Sequence, residues 1–175
     1  MNRPVARRAV LWGLVLPAVQ GARAQMLPSV NGQRPEVAVI SQTSLDASPA
    51  QRGFTKALAD RIRDRLSGDP SMAMLPTAFN DNAVDGMSVP GFVVSVDELT
   101  RAERRLPAIC NTVLVFGPHP GPAGQFPIRV LRRGTGTGIT FYISAPKDDL
   151  PSAGTVDLVF GPVRRDIAAI NKSRR

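Results

Sequence analysis

Residues 36–67, EVAVISQTSLDASPAQRGFTKALADRIRDRLS, decide the fold. Glu36 to Ser41 is a short run of mostly apolar, β-branched residues and reads as a buried strand. Ser48 then offers a helix N-cap, Pro49 suits the first helical position, and Gln51 sits three residues after the cap. Together they form a capping box with proline at the favoured place. Phe54, Ala57, Leu58, Ile62 and Leu66 recur at spacings of three and four, so they share one face. Lys56, Arg61, Arg63 and Asp64 occupy the other. Gly68 is a natural C-terminal cap. The segment predicts a strand, then a helix over about 49–67 packed on a sheet.

Toward the C-terminus, Ser71 to Leu75 reads as a short strand. Residues 76–90, PTAFNDNAVDGMSVP, have the composition of a loop. Phe92 to Val94 is a candidate strand. Ser95, with Glu98 three residues on, is a second capping box, followed by a stripe of Leu99, Ala102 and Leu106 that Pro107 ends. Thr112 to Phe116 is a strand, and residues 117–125, GPHPGPAGQ, a stiff turn. Pro127 to Arg133 and Ile139 to Ser144 form a hairpin around Gly134–Gly138. Thr155 to Phe160 reads as one more strand, and Val163 to about Lys172 as a terminal helix. TVLVFGP at 112–118 is echoed by TVDLVFGP at 155–162, which suggests two strands ending alike. The expected fold is a single α/β (or α+β) domain over 36–162. It has a mixed β-sheet with two or three helices on one face and a strand-rich C-terminal half. Residues 25–35 form a lead-in and 163–175 a basic C-terminal helix or tail.

Toward the N-terminus the chain opens MNRPVARRAVLWGLVLPAVQGARA. Arg3, Arg7 and Arg8 make a positive start, Ala9 to Ala18 a short apolar run, and Ala22-Arg23-Ala24 a small-x-small cleavage pattern. These parts, in this order, describe a cleavable signal peptide over residues 1–24, cut between Ala24 and Gln25. Arg7-Arg8-Ala9-Val10-Leu11 also resembles a twin-arginine motif, so the export route is Sec or twin-arginine. The expected location is periplasmic or secreted. No later segment is long and apolar enough to span a membrane.

The formal charge of +8 comes from 22 basic and 14 acidic residues. Four of the arginines lie in the signal, and the tail from Arg164 to Arg175 holds five cations against Asp166. The remainder is neutral, and aromatic residues make up only 5% of the chain. Neither feature suits a nucleic-acid surface. The basic tail is a candidate contact for an anionic surface. Cys110, the single cysteine, cannot form an intrachain disulfide and reads as a buried thiol.

Few chemistries survive a residue count. One His and one Cys cannot supply a structural zinc site. Cys110 and His119 flank a predicted strand, which holds them too far apart for a nucleophile–base pair. Asp81 to Gly86 fails as an EF-hand loop, with Ala83 and Phe92 at ligand positions. Asp97, Glu98 and Glu103 are expected on the solvated side of the second helix, and Asp148-Asp149 in a turn. No catalytic set, metal site or cofactor-binding motif assembles, so the enzyme question stays open and leans to no. The one candidate contact is an anion or small ligand held by Arg132, Arg133 and the amides of Gly134 and Gly136. His119, expected as an exposed turn residue, is a further candidate for touching it.

Val37-Ala38-Val39-Ile40, a helix carrying Ala57-Leu58-Ala59-Asp60 and Leu66, and Met72 to Leu75 together resemble the opening of periplasmic domains of the TolB N-terminal and CsgG type. The resemblance covers about 40 residues. It implies a non-catalytic domain that serves envelope assembly or transport through protein contacts. The expected role is therefore an envelope accessory with a protein partner. The alternatives are a ligand- or anion-binding periplasmic protein, or a hydrolase without a recognisable motif.

Overall fold

A computed structural model describes residues 34–119, 121, 124–144 and 150–172. The expected signal, its expected cleavage point at Ala24–Gln25, most of the expected lead-in and the expected Asp148-Asp149 turn lie outside them. The elements are β1 (Glu36–Ser41), α1 (Pro49–Ser67), β2 (Ala73–Met74), α2 (Thr77–Val84), α3 (Val96–Arg105), β3 (Thr112–Phe116), β4 (Gln125–Arg132), β5 (Gly138–Ser144) and α4 (Ala153–Lys172). The protein has an α/β fold with one mixed five-stranded sheet, ordered β2-β1-β3-β4-β5. β1 runs parallel to β2 and β3, whereas β3, β4 and β5 are antiparallel.

The opening segment folds as its residues dictate. Ser48 Oγ accepts from the Gln51 amide at 3.2 Å, and Gln51 Oε1 accepts from the Ser48 amide at 2.8 Å, so both halves of the capping box form. Phe54, Leu58, Ile62 and Leu66 are buried against Val37 and Val39 of β1 and Leu114 and Phe116 of β3. Gly68 caps the helix with an ordinary right-handed backbone, so its special freedom is not used.

Three of the expected elements differ. The predicted loop at 76–90 contains helix α2. Its interior Asn80 is buried, and its Oδ1 accepts from the Val39 amide at 3.3 Å. β2 ends at Met74, so a side chain from α2 takes up an edge donor of β1 that no strand reaches. Phe92 to Val94 is not a strand; Val93 makes only an isolated bridge to Gln42. Thr155 to Phe160 is helical, and α4 continues through Gly161-Pro162 to Lys172. The echo of residues 112–118 is thus one of letters only. The division at 162 falls inside α4, whose Ile167 is fully buried in the core.

Among the described residues four helices, where two or three were expected, cover both faces of the sheet. α1 and α4 cover the first face, where Val156, Val159, Val163 and Ile167 of α4 meet Phe126, Ile128 and Val130 of β4. Arg65 of α1 pairs with Asp157 and lies 4.3 Å over the Phe160 ring, which ties the two helices together. α2 and α3 cover the second face. Ala83, Val84, Leu99, Ala102 and Leu106 meet Ala38, Ile40, Val113 and Val115 there. That second cluster reaches Leu131 of β4 and no residue of β5. The coverage is therefore unequal, and the gap it leaves lies beside β4 and β5. Among the described residues, no helix is long and apolar enough to cross a membrane.

Candidate functional site

β4 and β5 form the predicted hairpin, paired from Gln125 with Ser144 to Leu131 with Gly138. Phe126, Ile128 and Val130 face α4, so by strand alternation Arg129 and Leu131 face the opposite side. Thr140 lies opposite Arg129, and Tyr142 opposite Pro127, on that same side. Both β5 residues are exposed, Tyr142 to 55%.

β5 is also the end of the sheet. The Gly117 amide donates to the Pro127 carbonyl and the Arg132 amide to the Thr137 carbonyl. Bonding directions alternate along an antiparallel pair. Odd residues of β4 therefore bond to β3 and even ones to β5. It follows that Thr140 and Tyr142 turn their own amides and carbonyls away from the sheet. The stretch GITFYIS has no charge and no proline, two devices that commonly blunt a free edge.

Between α3 and this hairpin lies a groove of about 920 Å³. Val96, Leu99 and Thr100 of α3 form one wall, Leu131, Gly138 and Thr140 of the hairpin the other, and Arg129 lines it between them. The Arg129 side chain crosses β3 to place Nη2 on Gln42 Oε1. Its Nε is buried with no hydrogen-bond partner. Burial pulls its pKa below the ordinary guanidinium value, while Tyr142 works the other way. Among the described residues no carboxylate pairs with Arg129.

The sequence-predicted contacts are only partly gathered here. Arg133, Gly134 and Gly136 line the groove. The Arg133 guanidinium, however, is spent on backbone. It donates to the carbonyls of Glu103 at 3.0 Å, Leu106 at 2.7 Å and Pro107 at 2.6 Å, and so caps the end of α3. Arg132 points to the other face and donates to the Ile170 carbonyl of α4 at 2.6 Å. Gly134 and Gly136 have positive φ, 76° and 64°, as the turn of this hairpin requires. Arg129, which sequence reasoning passed over, has no local signal; only strand pairing shows that it faces an uncovered surface.

His119 is not an exposed turn residue. It is buried at the other end of β4 from Arg132, in edge contact with Phe54 and Phe126 at centroid distances of 5.8 and 5.6 Å. Desolvation lowers its pKa, and its Nδ1 has no partner. Cys110 belongs to the opposite face, with its thiol on the Thr112 carbonyl, and burial raises its pKa. The two side chains are thus separated by the sheet. Because the folded pKa of His119 is depressed, the unfolded chain binds the extra proton first as the pH falls. Stability is fully present above about pH 6.5, the unfolded value, and declines below it toward the folded value. The melting temperature should therefore drop between about pH 7.5 and about pH 5.5, and His119→Phe should reduce that drop. An equal drop in the variant would exclude His119 as its source.

Glu98 also departs from expectation. It is 2% exposed rather than solvated. Ser95 caps α3 by accepting from the Glu98 amide at 3.1 Å, but the Glu98 carboxylate does not return to Ser95. It accepts instead from the Ser88 amide at 2.9 Å, the Ser88 hydroxyl at 2.6 Å and the Val94 amide at 2.7 Å. Burial opposes its charge most strongly, but these donors and Arg101 together outweigh burial and leave its pKa lowered. Of the basic C-terminal segment, Arg164 pairs with Asp69; residues 173–175 lie outside the described chain. Among the described residues, no three His, Cys, Asp or Glu side chains converge as a metal site would need.

No protein-family model matches this chain, and no curated protein or solved structure does either.

Proposed function

We propose that this is an exported, non-catalytic protein of the bacterial envelope that binds another protein by strand addition at β5. The observation that carries the reading is the free edge of the sheet. Seven residues without charge or proline present outward backbone groups at Thr140 and Tyr142, beside a face that none of the described helices covers. An extended segment can pair with such an edge through main-chain bonds. The partner is taken to be a different protein that brings an acidic residue. The strand GITFYIS of a second copy would itself supply no carboxylate. The N-terminal signal motivates the compartment, and its removal should leave Gln25 as the first residue of the recovered protein.

The test places a photo-crosslinking amino acid at Tyr142 in the producing cell, with Lys56 on the solvent side of α1 as the control position. A discrete adduct from Tyr142 and none from Lys56 is expected. Thr140→Pro removes an outward amide while leaving the β4 bonds in place, and should abolish the adduct. An adduct that survives Thr140→Pro, none at all, or one made only with a second copy would overturn the reading.

A further inference from the structure

We propose that the groove between α3 and the β4–β5 hairpin is a binding site for a carboxylate carried on an apolar stem, with Arg129 as its anchor. This goes beyond strand pairing and does not depend on it: the edge is a row of backbone groups, the groove is lined by side chains, and the two share Thr140.

Arg129 is out of balance with its surroundings. A guanidinium offers five donors, and a buried arginine ordinarily meets a carboxylate or several carbonyls. Arg133, on the same face, shows the ordinary case with its row of α3 carbonyls. Among the described residues Arg129 makes one hydrogen bond, to the neutral amide oxygen of Gln42, and its buried Nε has no partner. One bond to a neutral oxygen offsets little of the lost hydration, and the half-buried side chain borders the groove.

The groove's chemistry suits a carboxylate. Its charged lining is Arg129, Arg133 and Arg104 against the single carboxylate of Glu103, so its balance is positive. A planar carboxylate suits a guanidinium with free donors, in a hydrogen bond roughly twice as strong as a neutral one. The walls add the second element. Val96 and Ile109 of the lining are 74% and 45% exposed, whereas Leu99 and Leu131 are already buried. A ligand with an apolar stem would cover Val96 and Ile109 while its carboxylate reaches Arg129. The volume falls within the range of small-ligand sites.

Two sources share this chemistry: a free organic acid, and a glutamate side chain of a protein partner. Both are tested on the full mature chain by titration followed in NMR spectra, reading the Arg129 Nε–H resonance and the amides of Thr100, Gly138 and Thr140. Sodium hexanoate should give saturable shifts, with the neutral analogue hexanol weaker by about tenfold or more. Arg129→Met, close in volume, should lose the preference for hexanoate. Thr100→Trp, which narrows the groove without touching Arg129, should weaken hexanoate binding and guards against misreading an unfolded Arg129 variant. A blocked pentapeptide, Val-Thr-Glu-Val-Thr, and its Gln analogue separate the sources. Tighter binding of the Glu peptide than of hexanoate assigns the site to a partner's side chain, and the reverse to a free acid. No shift with either carboxylate, equal response to hexanol, or an undiminished response in Arg129→Met would overturn the proposal.

Discussion

Glu98→Ala is expected to lower the unfolding free energy by about 3–5 kcal/mol, the range for stripping a buried charge of its partners or the partners of their charge. The carboxylate gathers two donors from Ser88 and one from Val94, which fixes residues 88–94 onto the first turn of α3. Removing it leaves all three without their acceptor. Glu98→Gln should recover little, because its amide nitrogen would face one of the same donors. The acid side follows from the lowered pKa. The folded state holds the charged form more tightly than the unfolded chain does. Its contribution is fully present above about pH 4.3 and is lost as the pH falls through the folded value. Urea unfolding near neutral pH measures the cost; a loss under about 1 kcal/mol would show that the loop finds other acceptors.

Gly117→Ala should be comparably damaging, at about 3 kcal/mol or more. Gly117 follows β3 with φ at 97°, where an L side chain is strained. An added Cβ would also lie 2.2 Å from the Gln42 carbonyl oxygen. That oxygen belongs to backbone held by the Gln42 amide on the Phe116 carbonyl at 2.7 Å, while Gly117 itself is held to Pro127 at 2.9 Å. Neither side can yield without breaking the sheet. Gly134→Ala provides the contrast, since its φ is 76° but nothing lies within 4 Å of an added Cβ. It should lose only the strain, about 1–2 kcal/mol. Similar losses in thermal unfolding of the two variants would mean that the close approach at Gly117 adds nothing.

The functional readings are limited by the same features. Arg132 and Arg133 invite an anion-binding reading, being adjacent cations beside a glycine-rich turn. Adjacent strand residues point to opposite faces, so this pair is divided between the ends of α4 and α3. Arg129 sits in a run, QFPIRVLR, where one arginine looks like any solvated strand residue. Its significance appears only when β1 and β3 are laid beside it and, among the described residues, no acid pairs with it.

By itself the sequence determined what depends on neighbours within a turn or two. The capping box at Ser48, the stripe from Phe54 to Leu66, the strands at 36–41 and 112–116 and the glycine-tipped hairpin all rest on short-range periodicity and turn chemistry. Tertiary structure alone decided the rest. TVLVF at 112–116 is a strand because β1 and β4 flank it. The similar letters at 155–160 are helix because they continue into the apolar stripe of α4, closed by Val163 and Ile167 over β4. Local propensity differs by tenths of a kcal/mol per residue, whereas burial of one such side chain is worth about 1.5–3 kcal/mol. Which surface each segment can cover therefore overrides its own preference. The same arithmetic formed α2 from a loop-like composition, buried Glu98 and His119, and left the second face of β4 and β5 open.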